Sequence, residues 1–484
     1  MARETYDVAI IGGGSAGLTA ARVGVALGAK IALIDRSPAA LGGDCLHTGC
    51  VPSKALIHAA RAYWDAGQLA RWGLPVRPSQ GTVDLDRIMA GVREVQAEVG
   101  TVDTPEALGT LGVALAFGQA RFVSPALLTV DDRPLVARRY VIATDSRPTI
   151  PDIPGLDAVP YHTNESIFAL TALPARLLVI GGGPIGCELG QAFARLGSQV
   201  TIIGRAPYLL PRDDREASLV LEQTFVREGL TVITGGTIEQ IADEAGTIVA
   251  TVRRGERRER YHADAVLVAT GRTPSVAGLD LARASVAHDS RGIAVDRYAR
   301  TTNPRIYAAG DVLGHRFYTQ IAGHQGSVAV VNALLPARMP LAYESIPWAT
   351  FTSPEVVGIG LTLAEAERQQ RRVLTTRLPY RLNDRALAAR SADDNFIKLI
   401  HDRRGTILGA QIVGPGAGET INEIAIAMSA KLSLSAFSDA SHVYPTLGLG
   451  LQQAALNWRA DSPLARWGRP VLRAFFGLRR RLAR

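Results

Sequence analysis

Two stretches decide the fold: "DVAIIGGGSAG", residues 7–17, and "LLVIGGGPIG", residues 177–186. Each is an apolar strand pattern running into G-x-G-x-x-G, with Gly12, Gly14 and Gly17 in the first and Gly181, Gly183 and Gly186 in the second. A helical pattern follows each, "LTAARVGVALGAK" and "CELGQAFARLGS", and then a second strand, "IALIDR" and "QVTIIGR". A lone glycine fingerprint is a weak signal. Strand, glycines, helix and strand in that order, twice, predict two dinucleotide-binding α/β units. The glycines allow a tight turn and let backbone N–H groups approach a pyrophosphate at the helix N-terminus.

The two units differ where a ribose would bind. The first ends its second strand in Asp35, an acid able to accept hydrogen bonds from ribose hydroxyls. This suits the adenosine of FAD. The second ends in Gly204-Arg205, with no acid, and a guanidinium suits the 2′-phosphate of NADPH over NADH. The alternative for Arg205 is an ordinary surface arginine.

The chain weighs 51.5 kDa, enough for two to four domains. Its composition, 47% hydrophobic and 20% charged, reads as globular. Three cysteines in 484 residues are too few to staple a large secreted protein, so a reducing cytoplasmic setting is expected. The apolar start carries Asp7 and runs into glycines, unlike a signal peptide. No apolar run is long enough to span a bilayer. The net charge of +8 is misleading. Residues 457–484 hold eight Arg and one Asp, so the rest of the chain is nearly neutral and nucleic-acid binding has little support.

"CLHTGCVPSK", residues 45–54, sets two of the cysteines in a C-x4-C pattern. On a straight helix Cys45 and Cys50 would lie about 7.5 Å apart along the axis, on nearly opposite faces. A bond between them therefore requires a bent segment, which Gly49 eases. Pro52 then fits a first helical turn, with Cys50 at its start and Lys54 one turn on; both features favour a thiolate. Two thiols do not complete a tetrahedral metal set, and no metal site is expected, although His47 is a conceivable third ligand. Cys187 reads as a small residue on a packed helix.

The chain resembles the pyridine nucleotide-disulfide oxidoreductases, the class I flavoenzymes that include dihydrolipoamide dehydrogenase, glutathione reductase and mercuric reductase. The resemblance covers about residues 5–455 and rests on "GGDCLHTGCVPSK", "GGGPIGCE", "VATGRTP", "YAAGDV" and "PWATFTSPEVVGIGLT". It implies an α/β fold with two Rossmann-like domains, for FAD and NAD(P), and a C-terminal α+β dimerisation domain. The expected layout is the FAD domain over 1–150, the NAD(P) domain over 151–271, the rest of the FAD domain over 272–345, and the dimerisation domain over 346–455. A basic extension follows over 456–484. A polar loop is expected over 72–82.

The resemblance also implies roles. NAD(P)H reduces FAD, which exchanges electrons with a redox-active disulfide. Cys50 matches the cysteine nearer the flavin and Cys45 the interchange cysteine that attacks substrate. Lys54 matches the lysine near the flavin and Glu188 its glutamate partner. Asp311 matches the aspartate on the ribityl chain. Gly43, Asp44, Ala120, Thr144 and Thr319 fall where the family lines the FAD site. Ser15, Arg36 and Gly310 join that site on the same motifs. Ile185, Gly271 and Arg272 join the NAD(P) site. The implied partners are a second copy of the chain and an acceptor that is a disulfide, a lipoyl-like group, a quinone or a soft metal ion. Two further readings are a dihydrolipoamide dehydrogenase for an unusual lipoyl partner and a flavin-bearing interaction protein with a decayed substrate site.

Three departures bear on function. The family's C-terminal His, with a Glu orienting it, acts on Cys45 from the partner subunit. In "SHVYPTLGLG" Tyr444 stands for the base and Leu449 for the glutamate. A free tyrosine, with a pKa of about 10 against about 6.5 for histidine, is a poor proton acceptor at neutral pH but a good donor. Mercuric reductases also carry a tyrosine there, yet they use a cysteine pair near the C-terminus, and no cysteine follows Cys187. In "IATDSRP", Asp145 replaces the usual glycine. The tail "PLARWGRPVLRAFFGLRRRLAR" sets Leu472, Phe475, Phe476 and Leu482 at helical spacing among arginines, with Trp467 nearby. It suits a helix packed on its own dimer, an acidic partner, or peripheral contact with an anionic membrane.

Overall fold

The computed structural model describes residues 5–75, 83–336, 338–461 and 463–482. The loop expected over 72–82 thus falls outside the described residues from residue 76 onward. The chain forms two compact units, Met1–Pro207 with Phe225–Ala342, and Tyr208–Thr224 with Tyr343–Arg484.

The first unit is built on the first glycine motif. Strand Thr5–Ile11 is parallel to Ile31–Asp35 on one side and to Arg133–Ile142 on the other. Ala114–Phe117 and Ile306–Ala308 extend the sheet in parallel at either side. Val8, Ala9 and Ile10 are fully buried, as expected where both faces of a parallel sheet are covered. Helix Ser15–Ala26 packs on helix Thr319–Leu334. Their backbones meet so closely that a Cβ on Gly326 would lie 2.2 Å from the Ala16 carbonyl oxygen.

A ribbon of two short antiparallel strands, Ser146–Pro148 and Arg272–Pro274, brackets the second glycine unit. Between them lies a four-stranded parallel sheet in the order Thr231–Thr234, Gln199–Gly204, Arg176–Ile180, Ala265–Val268. Its glycine turn feeds helix Pro184–Leu196. A three-stranded antiparallel sheet spans Thr237–Ala263.

The second unit holds a five-stranded sheet in the order Trp348–Thr350, Glu355–Gly360, Ile407–Gly414, Phe396–His401, Leu374–Pro379. Helices Ala417–Ser429 and Leu449–Asp461 contribute Ile421, Ile424, Leu451 and Ala454 to its core. Residues 208–224, which the sequence layout put inside the 151–271 insertion, group with this unit. Charge and hydrogen bonding account for that. Buried Lys398 meets Asp214 at 3.0 Å and Glu216 at 2.6 Å, and Trp348 Nε1 donates to Asp213 at 2.8 Å. Removing one partner from such a buried set typically costs about 3–5 kcal/mol.

Candidate functional site: a dithiol between two dinucleotide cradles

The two glycine turns have the same local geometry. Gly12 has φ +107°, and a Cβ there would lie 2.2 Å from the Ala143 carbonyl oxygen; Gly181 has φ +125° and the same 2.2 Å conflict with Ala269. The third glycine of each turn is equally constrained, since a Cβ on Gly17 would lie 1.8 Å from the Gly12 oxygen and one on Gly186 2.0 Å from the Gly181 oxygen. Only glycine fits. The helices that follow begin at Ser15 and Pro184 with no side-chain cap, so backbone N–H groups of both first turns are open to an anion. The side chain of Asp35 accepts from the Gly13 N–H at 2.7 Å, which fixes its carboxylate at the lip of the first turn, followed by Arg36. Arg205, just past the second strand, is exposed and forms no ion pair among the described residues. Ile185 lies in the first turn of helix Pro184–Leu196.

The cysteine segment is bent, as a bond between its cysteines requires. Cys45 lies on the short helix Gly43–His47, and Cys50 opens helix Cys50–Gly67. Gly49 joins the two; a Cβ there would lie 2.8 Å from the Asp44 carbonyl oxygen. Both cysteines are free thiols, Cys45 half-buried and Cys50 exposed. Thr319 contacts both, with its Oγ1 3.2 Å from Cys50 Sγ and donating to Cys45 Sγ at 3.3 Å. The hydrogen bond between the thiols splits their acidities. It pulls Cys50 down to about 6, with Lys54 helping and burial opposing. The same bond, reinforced by burial, raises Cys45 far above an ordinary thiol.

Helix Cys50–Gly67 packs on helix Pro184–Leu196, where the Arg195 guanidinium lies 5.5 Å from the Trp64 ring centre. That contact brings Lys54 to Glu188, Nζ to Oε2 at 2.8 Å. Burial disfavours the Lys54 cation, but Glu188 and Cys50 outweigh it and raise the lysine's pKa. On the same helix Cys187 is fully buried, and its thiol donates to the Gly182 carbonyl at 3.5 Å.

A third group surrounds Arg272. Its guanidinium meets Asp44 at 3.2 Å and Asp311 at 3.7 Å, donates to Ser146 Oγ at 2.7 Å and reaches Asn164 Oδ1 at 3.5 Å. Arg272, assigned by resemblance to the nicotinamide side, thus sits among the carboxylates assigned to FAD. The ribbon of Ser146–Pro148 and Arg272–Pro274 carries it there. Gly271, immediately before it, has φ +130°. Asn164 donates to Asp44 Oδ1 at 3.1 Å and to the Thr48 carbonyl at 3.2 Å, and Thr48 Oγ1 donates to Asp44. Asn164 belongs to no sequence motif, and Ser146, although inside "IATDSRP", is not among the residues the sequence singles out. Asp145 adopts φ +66°, the left-handed backbone a glycine would favour. Burial raises its carboxyl, with Asp44 adding repulsion, and burial followed by Asp145 pushes Asp311 up to about 7.

The remaining predicted residues are dispersed around these groups. Gly43 adjoins the first turn, since a Cβ there would meet Gly14 Cα at 2.6 Å. Thr144 Oγ1 donates to the Ser275 carbonyl at 2.7 Å. The Gly310 N–H donates to Gln325 at 2.8 Å. Ala120 is buried at the start of strand Ala120–Ser124.

Tyr444 belongs to the second unit, where it is 67% exposed and its hydroxyl donates to Asp384 Oδ2 at 3.0 Å. That hydrogen bond raises the phenol further. Leu449 opens helix Leu449–Asp461, its N–H donating to Thr446 Oγ1 at 3.2 Å. His442 meets Glu423 at 3.1 Å, a carboxylate partner that no sequence pattern had signalled.

Two dinucleotide cradles and a paired thiol with one depressed pKa define a nicotinamide-linked flavin oxidoreductase of the disulfide type. The chain belongs to the pyridine nucleotide-disulphide oxidoreductase family, whose model matches residues 6–333, and it carries that family's dimerisation domain over residues 346–455. The family uses FAD and NAD(P)H. The chain is 35% identical to the mercuric reductase of Bacillus cereus over 458 residues, 94% of this chain and 72% of the relative. It is also 35% identical to the dihydrolipoyl dehydrogenase of Thermus scotoductus, covering 93% and 97% of the two chains. Among solved structures it is similar to LpdA of Mycobacterium tuberculosis, at TM-score 0.84, 26% identity and coverage of 93% and 99%. The HOCl-induced flavoprotein disulfide reductase RclA of Escherichia coli matches at 0.82 and 26%, with coverage of 93% and 99%. Among the described residues no helix is long and apolar enough to cross a membrane.

Proposed function

We propose that the chain acts as a homodimeric FAD enzyme that oxidises NADPH and reduces a thiol-reactive acceptor, a disulfide or a soft metal ion, through Cys45 and Cys50. The observation that carries this reading is the placement of the pair: Thr319 Oγ1 lies 3.2 Å from Cys50 Sγ and 3.3 Å from Cys45 Sγ, Cys50 opens a helix, and the Lys54–Glu188 ion pair lies one turn on. The first cradle and the group of Asp35, Asp44, Thr144 and Asp311 fit FAD, because Gly12 and Gly17 leave no room for a Cβ and the uncapped helix start at Ser15 offers backbone N–H groups to a pyrophosphate. Bound FAD would supply the two-electron carrier between NADPH and the dithiol. Gly181, Gly183 and Gly186 with Arg205 would take NADPH.

The thiol steps follow from the residues. In the reduced pair Lys54 holds the Cys50 thiolate, and Glu188 holds Lys54. Cys45 gives its proton to Cys50 as its sulfur attacks an acceptor disulfide. A Cys45 mixed disulfide forms and one acceptor thiolate leaves. Cys50 passes that proton to the departing thiolate, then attacks Cys45 Sγ, releases the second thiolate, which takes a proton from solvent, and restores the Cys45–Cys50 bond. The net change is NADPH, a proton and a disulfide giving NADP⁺ and two thiols. Tyr444 is a donor, with its hydroxyl committed to Asp384, so the reading assigns it substrate binding, not proton abstraction.

Soft-metal reduction has support from the relatives named mercuric reductase and from the RclA structure solved as a Cu(II) complex. Steady-state assays of the purified holoenzyme with NADPH against oxidised lipoamide, glutathione disulfide, menadione, Hg(II) and Cu(II) test the reading. Turnover of none of them, or equal turnover by Cys45→Ser, would remove it.

A further inference from the structure

The C-terminal helix Pro463–Leu482 lies beyond the family match, which ends at residue 455. Its described side chains from Pro470 to Arg481 are all exposed. Among them Val471, Phe475 and Leu478 are 69%, 55% and 59% exposed. At 3.6 residues per turn these three share a sector about 60° wide. Leu472 and Phe476 lie farther round on one side, beyond Arg479, with the Phe475 and Phe476 rings 5.6 Å apart. The unbroken apolar stripe is therefore Val471, Phe475 and Leu478. The sequence grouping of Leu472, Phe475, Phe476 and Leu482 shares Phe475 with this stripe and leaves out Val471 and Leu478. The side chains of Trp467 and Leu482 lie outside the described set.

Charge selects the occupant of the stripe. Arg479 and Arg481 flank it, and Arg473 and Arg480 lie opposite. From Ser462 to Arg484 there is no Asp or Glu, and none of these four arginines forms an ion pair among the described residues. Two copies of this helix packed stripe to stripe would line up their flanking arginines with no acid between them. An anionic surface with an apolar interior complements both features. Arginines around the helix also suit a position in the interface plane and not a span.

We propose that Pro463–Leu482 is an in-plane membrane anchor that docks reversibly on anionic phospholipid, with Val471, Phe475 and Leu478 in the acyl boundary and Arg479 and Arg481 at the phosphates. The proposal is independent of the acceptor. Flotation of full-length holoenzyme with phosphatidylglycerol/phosphatidylcholine vesicles, against phosphatidylcholine alone, tests it at low and high salt. The expected result is binding to the anionic vesicles at low salt, reversed by high salt. Val471→Asp/Phe475→Asp and Arg479→Gln/Arg481→Gln should each weaken binding about tenfold or more, with bound flavin and light-scattering mass unchanged. Failure of the wild type to float, or flotation of both variants like wild type, overturns the proposal. A drop in mass or loss of flavin in Val471→Asp/Phe475→Asp also overturns it, since the stripe would then be covered by protein.

Discussion

Lys54 Nζ stands 2.8 Å from Glu188 Oε2 and one helical turn from Cys50, so one cation serves a carboxylate and a thiolate. The Cys45 thiol lowers the Cys50 pKa most and burial opposes it, while Lys54 lowers it further and Glu188 raises it, for a value of about 6. Lys54→Met should raise the Cys50 pKa from about 6 by about one to three units. The pH dependence of alkylation of NADPH-reduced enzyme reads this. An unchanged midpoint, with FAD still bound, would mean that the neighbouring thiol and the helix start alone set the acidity.

Cys45→Ser and Cys50→Ser should each retain FAD and lose disulfide reduction by at least about a hundredfold. They differ in the trapped species. Cys50→Ser should accumulate a Cys45 mixed disulfide, because no second thiol releases it, and intact-protein mass spectrometry detects the added mass. Accumulation in Cys45→Ser instead would reverse the two roles.

The exposed guanidinium of Arg205, with no ion pair among the described residues, underlies a cofactor prediction. Arg205→Glu should lower kcat/KM for NADPH by about 10–100-fold, the effect of losing charge-assisted hydrogen bonds to a phosphate, and should leave NADH within a few-fold. Wild-type enzyme with equal kcat/KM for both cofactors would remove the phosphate role.

Asp145 sits where a smaller residue would relieve both backbone and charge. A Cβ on Gly14 would lie 3.4 Å from Asp145 Oδ2, so its carboxylate adjoins the turn expected to meet a pyrophosphate. Asp44, Asp145 and Asp311 all face the Arg272 cation. Burial and mutual repulsion raise Asp145 and Asp311, the latter to about 7. A carboxyl whose native pKa exceeds its unfolded value stabilises the fold fully below the unfolded pKa, near 3.9. That stability is lost as pH rises through about 7. Asp145→Gly should flatten the fall in apoprotein melting temperature between those limits and tighten FAD about tenfold at pH 8. Flavin fluorescence titration and calorimetry measure both. Weaker FAD binding in the glycine variant would make Asp145 a ligand, not a burden.

The fold was legible in the sequence because glycine turns carry it. Gly12 and Gly17, or Gly181 and Gly186, meet backbone oxygens within about 2 Å of any added Cβ, so position and residue type are locked together. The dithiol was legible for a related reason, since Cys50, Pro52 and Lys54 act within one helical turn. The sequence singles out Arg272, Asp44 and Asp311, but not their grouping. Arg272 and its partners Asp44, Ser146, Asn164 and Asp311 come from separated segments, and the pairing of Arg272–Pro274 with Ser146–Pro148 helps gather them. The grouping of residues 208–224 was hidden likewise, because it depends on Lys398 reaching back to Asp214 and Glu216 across more than 180 residues.

The C-terminal departure supports a gain-of-function prediction. Tyr444 donates to Asp384, and Leu449 offers no carboxylate, so the two positions that match the family's base and its glutamate carry neither imidazole nor carboxylate. His442 has a carboxylate partner in Glu423, but it lies two residues before the position of the base. Tyr444→His with Leu449→Glu restores both groups, and Asp384 remains beside position 444 as a second acceptor. This double variant should oxidise dihydrolipoamide with NADP⁺ or NAD⁺ about 100-fold faster than wild type, the ordinary contribution of a general base. Its rate should rise with pH through the histidine range near 6.5, a profile the wild type lacks. Tyr444→His alone should gain less, because the imidazole is not oriented. A folded, dimeric double variant with no gain would mean that access to Cys45, not proton transfer, keeps dihydrolipoamide out.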